Sequence, residues 1–438
     1  MDVKRQQFVQ RVSPEDWPHG TPVEKAEDPG LGTALIPADR YTSEAFMAKE
    51  WANVWTKVWL LAGRSDDMPE VGDYICTELG KESVLLVRQP DGSVAGFYNV
   101  CLHRGNRLRP EGFGNAEDFR CLYHHWTYDQ KGCITHIPDI DTFPQGKPQP
   151  ARIPPLRTGE WGGFVWYSLN PDVEPLEAYL APIPQHLDPY HFDRMVMTRD
   201  ITVEWDCNWK ASVDAFNETY HVQGIHPQLK WYLDDINVQI DCYERHNRYL
   251  IPFAAISPRV DLPSAIPPAI DEIMRNAGMD PAEWEGSVGD IRVAVQKQMR
   301  INGPAVGKDY SDLNDDQLTD DYHYMIFPNI SINAHADDLM LFRQRPHATD
   351  PNKMLYDIWM FGLLPEGEEA PRRPRNQRFK HGDKSIGQVL DQDAFNLPTV
   401  QKGMQSDAFK GLWIGEQELR LRHFHKVIDD YIAAGDKK

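Results

Sequence analysis

From Ser43 to Trp59 the apolar residues Met47, Trp51, Val54, Trp55 and Val58 recur at steps of three and four, which predicts an amphipathic helix with Ser43 as its N-cap. The pattern then shortens. Runs at Asp73 to Glu78, Ser83 to Arg88, Val94 to Asn99, Phe119 to Leu122, Thr127 to Tyr128, Cys133 to Ile137 and Gly163 to Leu169 predict short strands. Pro90-Asp91-Gly92 and Asp129-Gln130-Lys131-Gly132 supply turns between them. Strands so spaced predict a small antiparallel sandwich. Pro-rich stretches at 144–155 and 171–189 precede a region of mixed pattern, with a helix near 208–223, strands near 323–334, 339–345 and 354–363, and a terminal helix from about 415 to 433. An antiparallel sheet covered by helices is the economical reading, so the fold class is α+β. The expected organisation is an N-terminal arm over 1–42, an all-β domain with its leading helix over 43–170, and a second domain over 171–438.

Length and charge narrow the function. A chain of 438 residues suits two domains with sizeable cores. The formal net charge of −20 argues against nucleic acid, whose phosphates would be repelled. The first residues, M-D-V-K-R-Q-Q-F-V-Q, have no apolar signal core, and no run of 18 apolar residues occurs, so no membrane span is expected. Six cysteines without a disulfide-like spacing point to a reducing, cytoplasmic setting.

Two of those cysteines are paired with histidines. Cys101-Leu102-His103 and Cys121-Leu122-Tyr123-His124 each open a short loop in strand-like sequence. Two thiolates and two imidazoles divided between two loops suit a two-iron two-sulfur cluster in which one iron takes both cysteines and the other both histidines. A structural zinc ion could use the same four residues, although zinc sites usually pair Cys with Cys and His with His.

A second constellation lies in N-W-K-A-S-V-D-A-F-N-E-T-Y-H-V-Q-G-I-H, residues 208–226. On a helix Glu218 and His221 share a face, Gly224 offers a C-terminal stop, and His226 can fold back beside His221. Two histidines with one carboxylate make a facial triad suited to non-haem Fe(II), with positions left open for dioxygen. A histidine pair near a helix end is more often a packing feature. Asp214, four residues before Glu218, would support it from the same face, and Tyr220 and Trp209 read as core.

C-L-H-R-G at 101–105 and C-L-Y-H-H-W-T-Y-D at 121–129 resemble the cluster loops of the Rieske non-haem iron oxygenase α-subunits, and 208–221 resembles their catalytic helix. One departure stands out: His125 occupies a position that the family commonly gives to glycine. The resemblance implies a small all-β Rieske domain ahead of a catalytic domain. Its ligands would be Cys101, His103, Cys121 and His124 for the cluster, and His221, His226 and Asp393 for the iron, with Asp391 as the runner-up carboxylate. Glu218 stands where the family has an acidic residue, often Asp, bridging a neighbouring subunit's Rieske histidine to the iron site.

The resemblance further implies a terminal oxygenase that receives electrons from a separate reductase, sometimes with a ferredoxin, uses O2 as co-substrate, and forms a head-to-tail homotrimer, a β-subunit not being excluded. No G-x-G-x-x-G follows a predicted strand, so the chain is not expected to oxidise a nicotinamide itself. Ring hydroxylation is the commonest family activity; monooxygenation or demethylation of a methylated or non-ring substrate uses the same metals. Alternation on the expected strands offers Phe216, Phe327, Asn329, Ile332 and Phe342 as pocket walls, with 251–320 as a cap. The basic run at 371–380 is either a ferredoxin docking patch or a solvated loop. A pure electron carrier would leave the second domain unexplained, and a zinc-stabilised binding protein would be colourless.

Overall fold

The computed structural model describes residues 25–435, so most of the expected N-terminal arm lies outside the described residues. Among them no helix is long and apolar enough to cross a membrane. The chain divides into two compact units, one of 48–184, 346–350 and 434–435, the other of 25–47, 185–345 and 351–433.

The first unit carries a seven-stranded antiparallel sheet. Its strands are β1 (Trp59–Arg64), β2 (Asp73–Leu79), β3 (Glu82–Arg88), β4 (Val94–Tyr98) and β5 (Gly112–Asn115), with β9 (Pro155–Trp161) and β10 (Phe164–Ser168), in the order β1-β10-β9-β4-β3-β2-β5. A three-stranded sheet of β6 (Phe119–Arg120), β7 (Thr127–Tyr128) and β8 (Ile134–His136) lies in the same unit. Leu85, Val87 and Phe97 from the larger sheet meet Phe119, Trp126, Tyr128 and Ile134 in one core that also holds Cys101 and Cys121. Both cysteines are therefore rooted in packed hydrophobic structure, which fixes where their sulfurs point.

The leading helix is shorter than its periodicity predicts. α1 (Glu44–Glu50) gives way to a π-helical turn at Trp51–Trp55, and Trp59 already begins β1. Ser43 does cap it, its Oγ accepting from Phe46 N–H at 3.2 Å. Strand β1 escaped the alternation test because all six of its residues are buried, so the run W-L-L-A-G-R has no polar face.

The second unit is built on an eight-stranded sheet. The strands are β11 (Met195–Trp205), β12 (Gln239–Cys242), β13 (Asn247–Ile251), β14 (Asp321–Ile326), β15 (Ile330–Ala334), β16 (Asp338–Pro346), β17 (Met354–Leu363) and β18 (Gln377–Lys380), ordered β12-β13-β14-β15-β16-β17-β11-β18. The single strand expected over 323–334 is a hairpin, closed where Ile326 faces Ile330 around Phe327-Pro328-Asn329. Edge strand β18 lies parallel to β11 and uses part of the basic run, with Arg378 paired to Glu204 at 2.9 Å and Arg373 to Asp200 at 2.9 Å.

Helices α2 (Trp209–Ala215), α3 (Val222–Ile225), α4 (Pro268–Asn276), α5 (Ile291–Asn302), α6 (Gln388–Met404) and α7 (Leu419–Gly435) complete the second unit's main elements. The one helix expected over 208–223 is thus two, α2 and α3. Asn208 caps α2 by accepting from Lys210 N–H at 3.0 Å, and α3 begins where the Glu218 carboxylate takes His221 N–H at 3.0 Å. Gly224 is inside α3 and does not stop it; the helix ends at His226, whose successor Pro227 has no N–H to continue the ladder.

Candidate active site

The two Cys–His loops share one backbone plan. Cys101 N–H donates to Asn106 O at 2.8 Å and Gly105 N–H to Cys101 O at 2.9 Å; Cys121 N–H donates to Trp126 O at 2.9 Å and His125 N–H to Cys121 O at 2.9 Å. Each loop turns through a left-handed residue, Gly105 at φ +75° and His125 at φ +59°. Glycine adopts that conformation freely, whereas a histidine pays roughly 1 kcal/mol for it. The departure seen in the sequence is therefore a strained turn, and the ligand-bearing residues around it keep their places.

The four chemistry-bearing side chains converge. The thiols of Cys101 and Cys121 lie within hydrogen-bond reach of each other. The His103 and His124 rings are 4.6 Å apart, and His103 stacks on Trp126 at 5.0 Å. Tyr128 OH sits 3.3 Å from Cys101 Sγ. Burial pushes the Cys101 thiol up; at Cys121 burial also acts upward, but the N–H groups of Tyr123 and His124 outweigh it and favour the thiolate. His124 Nδ1 is buried with no hydrogen-bond partner among the described residues. A buried imidazole nitrogen left unpaired, on a ring 4.6 Å from that of His103, fits a metal donor, so the four residues suit a two-iron two-sulfur cluster.

In the second unit one ligand atom each from His221, His226 and Asp393 falls within 4.8 Å of the others. Asp393 Oδ1 is 3.0 Å from His226 Nε2 and 3.8 Å from His221 Nε2. The far nitrogens are held from behind. His221 Nδ1 meets Glu218 Oε1 at 2.7 Å, and His226 Nδ1 meets Gln392 Oε1 at 2.8 Å. With each Nδ1–H donating to an oxygen, each Nε2 lone pair faces the triad, the orientation that a metal needs. Burial opposes the charged form of His221, but the Glu218 and Asp393 carboxylates outweigh it and raise its pKa. The donor set fits a mononuclear Fe(II).

Several expectations need correcting. Asp214 does not touch Glu218: its carboxylate accepts from Tyr41 OH at 2.5 Å and lies 3.1 Å from His425 Nε2, which ties α2 to α7. Asp391 is turned away from the triad to the segment leading into α6, accepting from Ile386 N–H at 2.8 Å. Trp209 is core, but Tyr220 is 52% exposed. Among the expected wall residues, Phe216 packs on Phe342 at 4.8 Å. Ile332 pairs with Leu341 and so lies on the opposite sheet face from Phe342. Phe327 packs against Phe424 and Tyr431, and Asn329 hydrogen-bonds Gln344 O at 2.9 Å. None of the five lines the unit's 520 Å³ cavity, which opens among Tyr232, Phe253, α4, α5 and His335.

Sequence reasoning missed Gln392, whose neutral amide has no spacing signal of its own. It also missed Asn217, fully buried beside Glu218 with neither amide atom partnered among the described residues.

A β-unit that gathers two cysteines and two histidines, and a helix-covered sheet that gathers two histidines and a carboxylate, define a two-centre iron protein. The comparisons agree: residues 192–434 match the ring hydroxylating alpha subunit (catalytic domain) family, and residues 58–149 match the Rieske [2Fe-2S] domain. The chain belongs to the Rieske oxygenase α-subunits, a family whose cofactors are a Rieske cluster and a mononuclear iron.

Among its relatives, the glycine betaine monooxygenase oxygenase subunit of Pseudomonas aeruginosa is 28% identical over 44% of this chain and 45% of its own length. The carnitine monooxygenase oxygenase subunit of Escherichia coli is 29% identical over 51% and 59%. These matches span about half the length of those relatives. The biphenyl dioxygenase subunit alpha of Paraburkholderia xenovorans is 27% identical over 85% of this chain and 80% of its own. Among solved structures, a quaternary ammonium Rieske monooxygenase superposes with TM-score 0.66 at 17% identity, over 93% of this chain and 99% of that one, and a naphthalene 1,2-dioxygenase with 0.65 at 17%, over 92% and 93%. They share the fold.

Proposed function

We propose that this chain is a terminal oxygenase component that takes electrons from a separate reductase, directly or through a ferredoxin, and uses O2 to hydroxylate a small organic substrate, most simply an aromatic ring. The observation that carries this is the triad of His221, His226 and Asp393 with both imidazole Nδ1 atoms pinned, by Glu218 and Gln392. When bound there, Fe(II) supplies open coordination positions for O2. Glu218 and Gln392 keep the imidazoles turned with Nε2 toward the triad, and Asp393 brings a carboxylate. Cys101, Cys121, His103 and His124 would hold the cluster. Six unbridged cysteines among the described residues support a reducing, cytoplasmic setting.

Glu218 has an oxygen on each of two groups of His221, the ring and the backbone N–H. In a head-to-tail trimer it would also receive the cluster histidine of another copy, giving a hydrogen-bonded path between centres. Exposed apolar side chains support self-association: Leu122 at 81% and Tyr123 at 54% on the cluster loop, and Phe395 at 81% two residues beyond Asp393.

His221→Ala should lose the mononuclear iron and turnover while the red cluster spectrum persists; full activity in that variant would end the proposal. Monooxygenation or demethylation is the second reading, favoured by the glycine betaine and carnitine monooxygenase subunits among the relatives. Product mass separates the two, one oxygen atom gained against two.

A further inference from the structure

Helix α2 ends at Ala215 with no proline or glycine between it and the start of α3. Its closing main-chain bonds run from Phe216 N–H to Ser212 O at 3.3 Å and from Asn217 N–H to Asp214 O at 3.0 Å. The carbonyl of Phe216 would next take the N–H of Tyr220 and carry the helix forward. It takes a side chain instead: Tyr249 OH donates to Phe216 O at 3.2 Å. With that carbonyl engaged the chain turns, and Glu218, two residues on, closes its carboxylate on His221 N–H at 3.0 Å and on His221 Nδ1 at 2.7 Å.

Tyr249 can hold a helix end because it is itself held. It is buried on β13 opposite His323 of β14, and the two rings stack at 4.6 Å, 8° from parallel. The guanidinium of Arg420, on α7, lies 4.1 Å from the centre of the same ring. Arg420 donates through Nε to Asn247 Oδ1 at 2.6 Å and through Nη2 to His323 Nδ1 at 3.0 Å. An arginine only donates, so His323 Nδ1 accepts, and burial together with Arg420 keeps that imidazole neutral by holding its pKa well below the usual value. Burial brings Arg420 down to about 10, which leaves it a cation at neutral pH, and the aromatic face and the two acceptors meet its charge. At Tyr249 burial and the carboxylates of Asp321, Glu218 and Asp393 outweigh Arg420 and raise the pKa, so the phenol keeps its proton and donates it. Strands β13 and β14 and helix α7 thus grip one ring and aim its hydroxyl at Phe216.

We propose that Tyr249 is a positioning residue for the iron site: by taking the Phe216 carbonyl it ends α2 and keeps Glu218 turned onto His221. The inference rests on the oxygenase reading above. Its route to the metal is indirect, through Phe216 and Glu218, and it ties the sheet to a site otherwise built from the α2–α3 turn and α6. The two histidines therefore respond unequally. Without the Tyr249 hydroxyl, His221 loses the carboxylate behind it, while His226 stays pinned by Gln392 on α6. A tyrosine that merely filled the core would lower stability when shortened and leave the metal alone.

Tyr249→Phe removes one oxygen atom and keeps the stacked ring. Anaerobic ferrous titration of the full chain should show iron affinity about tenfold lower, the lower end of what losing a ligand's supporting hydrogen bond costs, with the cluster absorption and circular dichroism unchanged. With iron saturating, oxidation of the reduced cluster by O2 should slow as in Glu218→Gln. Combining Tyr249→Phe with Glu218→Gln should be no slower than Glu218→Gln alone, because both act through one carboxylate. Tyr41→Phe is the control: it removes a bond to the same helix, at Asp214, away from the break, and should lower thermal stability while iron affinity stays within about twofold. Parental iron affinity in Tyr249→Phe, an equal loss in Tyr41→Phe, or additive slowing in the double variant overturns the proposal. If Tyr249→Phe does not fold, Arg420→Lys decides by the same criteria, since it keeps every tyrosine and a positive charge but takes the planar guanidinium off the ring. A parental chain that binds no ferrous ion fails the oxygenase reading and this inference together; a parental chain that binds it no better than Tyr249→Phe does fails this inference alone.

Discussion

Replacing Gln392 with leucine tests whether the iron site depends on a residue that is not itself a ligand. Gln392 Oε1 accepts from His226 Nδ1–H at 2.8 Å and from Gln228 Nε2–H at 2.7 Å, and His226 is 1% exposed. Leucine fills a similar volume and accepts nothing. Gln228 is half-buried and can turn to water; His226 cannot. The buried Nδ1–H then loses its partner at a cost of about 1–3 kcal/mol, and the ring recovers some of it by moving its proton to Nε2, the atom that the metal needs. Loss of such a supporting hydrogen bond typically lowers metal affinity about 10- to 100-fold, equivalent to about 1.4–2.8 kcal/mol. The assay is anaerobic ferrous titration, with the cluster absorption as an internal control for folding. Gln392→Glu, which restores an acceptor, should keep the affinity. If Gln392→Leu binds iron within twofold of the parent, the tautomer argument is wrong.

Three further outcomes are expected. Glu218→Gln should retain both metals but slow oxidation of the reduced cluster by O2 in stopped-flow absorption, and an unchanged rate would reject the bridge. Asp391→Ala should cost about 1 kcal/mol in denaturant unfolding through loss of its hydrogen bonds to Ile386 N–H and Ser385 Oγ–H ahead of α6, while iron content stays at the parental level; loss of iron would return Asp391 to the ligand set. Asp357 is buried, and although burial pushes its carboxyl up, Arg345 and Arg343 hold it down to about 2. A pKa lowered by folding stabilises above the unfolded value near 4, and that contribution disappears as pH falls toward 2. Asp357→Asn should therefore be less stable by about 2 kcal/mol at pH 7, with the gap closing below pH 4; a gap independent of pH would refute this account.

The chemistry was more legible than the architecture. Cys101, His103, Cys121 and His124 announce themselves because both loops repeat a Cys–His pattern at short spacing, and His221 and His226 because they follow a helix signal. Asp393 was separable from Asp391 only by resemblance, since two carboxylates in one acidic stretch look alike until one of them is found bonded to Ile386 N–H, ahead of the helix. Fully buried strands such as β1 lack the alternation that betrays a half-exposed strand. Strand β5 reads G-F-G-N, a turn composition, and holds its place through pairing with β2. The break between α2 and α3 was invisible because the residues on both sides favour helix, and the interruption comes from a side chain taking a backbone N–H. Gln392 and Asn217 carry no local signal; only the fold reveals what they face.

The matching turns at Cys101 and Cys121 make each half of the cluster cradle a self-contained module. Each one closes its own short ring of main-chain bonds, while the intervening segment is anchored separately, by the pairing of β5 with β2 and by Leu108 and Phe119 in the core. A single residue added between Cys121 and Trp126 would therefore break that half of the cradle while leaving the main-chain ring at Cys101 closed.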